Sequence, residues 1–234
     1  MNKSIIIAEL ERRKNEAERE SLASRLCVLA EEVVKVAAEH QKRVAQVMPE
    51  FDLHDEKHLA MVLHNMSCLI GEERVKTLSD VELFLLIASA YLHDCGMAPS
   101  EWELRLMQLT EGTDEYTDCE ESIRNDGKAP YSFSTAKSFI EKSKENIYRK
   151  YEGDVQDWLF SENSENEMAE ALSGLLIDYQ TFRNGYAAEL KACSKPAAFK
   201  KMSQGIRIDY IRRRHPQTSA RYIQNASPLF QNII

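Results

Sequence analysis

At 234 residues the chain is long enough to bury a sizeable core, as one large domain or two small ones. A formal net charge of −8 excludes a surface that attracts polyanions as a whole, so any phosphate or nucleic-acid recognition has to be local. Five scattered cysteines with no C-x-x-C pair exclude a disulfide framework or zinc knuckle and point to a reducing compartment.

Near the start, "SIIIA" is too short for the apolar core of a signal peptide and runs straight into "ELERRKNEAERE". No stretch approaches the ~20 apolar residues of a membrane span, so a soluble cytoplasmic protein is expected. Residues 5–48 contain neither Gly nor Pro. Leu22, Leu26, Leu29, Val33, Val36, His40, Val44 and Val47 recur at helical steps, which predicts a long N-terminal helix packing on the core. Its first, charged part reads as a solvated extension, and His40 as a packed residue at the edge of the core.

Pro49 breaks this helix. A second one is predicted over residues 56–71, with His58, Val62, Asn65 or Met66, and Leu69 on one face. Ser79 and Glu82 form a capping box, so a third helix begins near Asp80 and runs through "VELFLLIASAYLHD" to Gly96, read as a left-handed C-cap. This helix is apolar all round and should be the buried centre. Ser100 and Glu103 open another helix. The run 111–126 carries seven acidic residues and one basic, and reads as a solvated loop. Further helices are expected near 134–150 and 165–192, and in two pieces around Pro216. No β alternation is visible, and the class is all-α.

His93 and Asp94 close the apolar third helix, where the macrodipole is negative and a carboxylate is disfavoured by both dipole and desolvation. A divalent cation removes both objections, and His with Asp are good ligands for one. The alternative is that Asp94 pairs with an arginine and His93 caps a carbonyl. Earlier stands "LHDEKHLAMVLHNM", in which His54 and His58 are four apart and His58 points to the central helix. His64 points elsewhere and reads as structural. "HDEKH" has zincin spacing, but Asp55 stands where the general-base Glu is required, which argues against a metalloprotease.

With His58, with His93-Asp94 ending an apolar helix, and with Gly96 in "HDCGM", the chain resembles the HD superfamily of metal-dependent phosphohydrolases. "FDLHDEKHLAMVL" is similar to the F-P-x-x-T-x-H-D-x-x-H opening of a bacterial branch often fused to a GHKL-type ATPase domain. "YIRRRHPQTSARYI" is similar to the R-x-H-P-x-x-S-A element of HD-GYP-like relatives, whose His contributes to the site. The resemblance implies an HD-like helical bundle over residues 49–234, with a helical insertion at about 100–200 and the helix of residues 1–48 packed on it.

It also implies a divalent ion (Mn, Fe, Mg, Zn, Ni or Co) held by His58, His93 and Asp94, with His215 as a second-metal or phosphate contact and His54 and Asp55 at the rim. Catalytic roles then fall to Asp94, His215 and His54. The family's late carboxylate has no clear counterpart: Asp209 and Asp178 are the candidates, and neither stands in a motif. Either three ligands suffice, or the apolar ending "NASPLFQNII" marks the front part of a longer protein.

Arg212, Arg213 and Arg214, within a run of five arginines from 207 to 221, read either as a phosphate-binding patch or as a face neutralising the acidic run. The expected activity is hydrolysis of a nucleotide or nucleic-acid phosphate ester. The alternative is a non-catalytic regulatory module of a larger assembly, with an ATPase domain or partner chain and self-association through the N-terminal helix. An antiviral setting rests on fold analogy alone.

Overall fold

The computed structural model describes residues 4–17, 21–48, 56–111 and 165–225. The protein is all-α, and the described residues contain no strand. The chain divides into two compact units, Met1–Ala98 with His215–Ile234, and Pro99–Arg214. The helix predicted near 134–150 and residues 112–126 of the acidic run lie outside the described residues.

In the first unit the expected single N-terminal helix is two: α1 (Ile5–Glu16) and α2 (Leu22–Val47). Ser21 caps α2, its hydroxyl accepting from the Ser24 amide. The charged α1 is not a solvated extension. Ile6 and Leu10 are fully buried against its neighbours, and α1 packs on α2 and α5 (Asp80–Leu92). Glu9 is buried too, where Arg12 and Arg13 grip its carboxylate, and Arg13 also reaches Asp80 at 2.9 Å. Two local ion pairs and the long-range Arg13–Asp80 pair let a segment that looks solvent-facing on every side lie against the core.

α3 (Glu56–Ile70) buries Leu59, Leu63 and Ser67, one register away from the predicted stripe; Leu69 is 88% exposed. Gly71, at φ +81°, takes the left-handed turn that leads into α4 (Glu72–Val75). The Ser79–Glu82 capping box forms as expected, and such a cap is worth about 1 kcal/mol. α2 packs most extensively against α5, whose Leu83, Phe84, Ile87, Ala88, Tyr91 and Leu92 are buried. Val81 and Leu85 stay exposed, so this helix is central but not covered on every side.

The second unit holds α6 (Glu101–Glu111), opened by the predicted Ser100–Glu103 box, α7 (Glu165–Asn184) and α8 (Ala187–Ala192). A turn at Gly185 and Tyr186 divides the predicted 165–192 helix. α9 (Pro196–Asn225) is one continuous helix with Pro216 inside it, not two pieces. The missing proline N–H costs a backbone bond, about 3 kcal/mol in a helix interior. Burial of Tyr210 and Ile211 before it, and of Ser219 and Tyr222 after it, outweighs that cost. Among the described residues no helix is long and apolar enough to cross a membrane.

Candidate metal centre

α5 ends at Leu92, and its C-cap is His93 in right-handed helical conformation. Asp94 follows, then a short 3-10 turn, Cys95–Met97. Asp94 is only 6% exposed although it stands at the negative end of a helix, so its charge has to be answered locally.

Imidazoles surround it. His93 Nε2 is 2.8 Å and His58 Nε2 3.4 Å from Asp94 Oδ2, and His215 Nε2 is 3.5 Å from Oδ1. The His58 and His93 rings lie 5.7 Å apart. One ligand atom from each of His58, His93 and Asp94 lies within 4.8 Å of the others, so the three form a group able to hold a metal ion.

The donor chemistry fits such an ion. His93 Nδ1 is 3.0 Å from the Ala90 carbonyl, which can only accept, so Nδ1 carries the proton. In the neutral ring, Nε2 then presents a lone pair to a carboxylate oxygen. Two lone pairs at that distance need a proton or a cation between them. The Asp94 carboxylate holds the His93 pKa above its ordinary value, against the opposing effect of burial. Fixing one ring nitrogen on a carbonyl while the other faces the ion is the usual arrangement of a ligating histidine.

Gly96 serves the site differently from the prediction. Its φ is not positive; among the described glycines only Gly71 has that conformation. A Cβ on Gly96 would lie 2.3 Å from the His215 carbonyl oxygen and 2.7 Å from the Ser219 amide nitrogen. Glycine is required here so that α9 can press against the turn. Sequence reasoning missed Ser219, although it stands in the quoted "HPQTSA" element. His40, expected at the edge of the core, is 4% exposed, and its Nε2 donates to the Cys95 carbonyl at 2.7 Å. Burial pushes the Cys95 thiol up to about 11.

The remaining predicted residues fall elsewhere. His54 and Asp55 lie outside the described residues. His64 points away from the site, exposed and 3.6 Å from the Cys68 sulfur. The two late carboxylates belong to the second unit. Asp178 accepts from Tyr210 at 2.8 Å and pairs with Arg214. Asp209 accepts from Tyr186 at 2.9 Å and pairs with Arg213, which holds its carboxyl below the usual range. The described metal-ligand group contains neither. Of the arginine run, Arg207 is buried against Glu111 at 2.7 Å, so this first acidic residue of the predicted loop is instead the buried end of α6.

A family model described as HD-CE matches residues 48–233. No curated protein and no solved structure matches significantly. The match spans His58 of α3, the His93-Asp94 turn and His215 of α9, and the chain belongs to the HD-CE family.

Proposed function

We propose that the protein is a metal-dependent phosphohydrolase acting on a nucleotide or nucleic-acid phosphate ester. The observation that carries this reading is the convergence of His58, His93 and His215 on the buried Asp94 carboxylate in a chain of the HD-CE family. A divalent ion bound there would polarise a phosphoryl oxygen and lower the pKa of a coordinated water from ~15.7 towards ~7.

The chain's own groups supply the rest. His58 and His93 offer neutral imidazoles, and Asp94 offers the anion that sets the charge of the site. His215, whose Nε2 lies 3.5 Å from Asp94 Oδ1, would give a proton to a leaving oxygen. His54 is a second candidate for that proton. Arg212, Arg213 and Arg214 are the proposed contacts to substrate phosphate, and Arg213 and Arg214 also pair with Asp209 and Asp178.

The test is phosphate release from a panel of nucleotides, cyclic dinucleotides and oligonucleotides with Mn, Mg, Co, Ni, Fe or Zn. Loss of turnover in His215→Gln with metal still bound is the expected result. No release from any ester by a metal-loaded protein would sink the enzymatic reading.

A second reading, a non-catalytic regulatory module, is favoured by one observation: both late carboxylate candidates are committed to arginine and tyrosine partners. In that case the metal-bound chain folds and assembles but hydrolyses nothing. An ATPase domain or partner chain, and self-association through the N-terminal helices, belong to this second proposal.

A further inference from the structure

We propose that Ser219 is a positioning residue of the metal centre: its hydroxyl locks the backbone of the His93–Gly96 turn and sets His215 in register with Asp94. The inference rests on reading His58, His93 and Asp94 as metal ligands.

The Ser219 side chain is 4% exposed, and its single hydroxyl works in both directions. It donates to the His93 carbonyl at 2.9 Å and accepts from the Gly96 amide at 2.8 Å. These two backbone groups flank Asp94 on either side. The His93 carbonyl is among the last of α5, where intrahelical donors have run out, so it needs an outside partner. A serine within a helix ordinarily bonds the carbonyl one turn back, which here belongs to His215. Ser219 is turned away to the loop instead.

The fit is close enough to define register. A Cβ on Gly96 would collide with backbone atoms of both His215 and Ser219, so α9 and the turn are in near contact there. His215 lies one helical turn before Ser219, on the same face of α9. Fastening Ser219 to the turn therefore fixes where the His215 imidazole meets Asp94. From the other side, His40 of α2 holds the Cys95 carbonyl, and Tyr222 of α9 stands edge-on to that ring at 5.9 Å. The turn is thus gripped between α2 and α9, and the ligand at its centre is denied freedom to wander.

The experiment titrates Co(II) into wild type, Ser219→Ala and Ser219→Thr, reading affinity and the visible spectrum of the bound ion. The alanine variant is expected to bind ~10–100-fold more weakly, with an altered spectrum. The threonine variant, which keeps the hydroxyl, is expected to recover most of both. An alanine variant indistinguishable from wild type, or a threonine variant as weak as alanine, overturns the role of the hydroxyl alone. If wild type takes up no Co(II), the reading of the metal ligands fails first and this inference with it. Should Ser219→Ala not fold, amide hydrogen exchange of the wild type decides: a strongly protected Gly96 amide supports the lock, and a freely exchanging one overturns it.

Discussion

Carboxylates are answered in two different ways in the two units. In the second unit Glu111 accepts from Tyr179 and Arg207, Asp178 from Tyr210 and Arg214, and Asp209 from Tyr186 and Arg213. Each pairing sets a permanent cation and a phenol against the anion. At the end of α5 the groups gathered around Asp94 are imidazoles from α3, α5's own C-cap and α9. Unlike a guanidinium, an imidazole can present a lone pair, so a carboxylate ringed by imidazoles can share a metal with them instead of having its charge cancelled by a fixed cation. Arginine and tyrosine make structure; histidine around aspartate makes a site.

The contrast breaks most visibly at Arg207. Arg207→Ala removes the cation paired with the buried Glu111 carboxylate, and a loss of about 3–5 kcal/mol is expected in chemical denaturation, with metal stoichiometry per folded chain unchanged. Lost metal without lost stability would reverse the assignment. Next in size is Gly96→Ala. The added methyl meets backbone rather than a yielding side chain, so about 1–3 kcal/mol of destabilisation is expected, together with weaker metal binding.

A pH profile sharpens the arginine side of the comparison. Hydrogen bonding from Arg12, helped by Arg13, lowers the Glu9 pKa from 4.5 to about 2. A depressed carboxylate pKa contributes stability that is full above the unfolded value and lost as pH falls through the folded one. The melting temperature should therefore fall between about pH 4.5 and 2, and Glu9→Gln should flatten that part of the curve. An unchanged profile would remove Glu9 from the account. The smallest effect is expected at Arg213, 65% exposed, where Arg213→Ala should cost under ~1 kcal/mol in the same denaturation assay.

What could be read from the amino-acid order is what depends on near neighbours. The Ser79–Glu82 and Ser100–Glu103 caps are three-residue patterns, and both form. His58, His93 and Asp94 were legible because an ionisable pair closing an apolar helix is costly without a partner. Contacts distant in sequence were not legible. The break between α1 and α2 is marked only by Ser21, and α1 is held down through Arg13–Asp80 and Ser4–Ser67. The continuity of α9 through Pro216 depends on packing either side of it. Gly96 pointed to a turn by its type, whereas its reason is the backbone of a helix more than a hundred residues away in sequence.

The central claim is that Asp94 and its imidazoles form a metal centre. The most direct measurement is the metal content of the purified chain, by mass spectrometry after loading and desalting, beside Asp94→Ala. At least one bound equivalent is expected in the wild type, and its loss in a variant that keeps its helical circular dichroism. A wild type that emerges empty after metal is supplied, or a variant that retains the full complement, would contradict it.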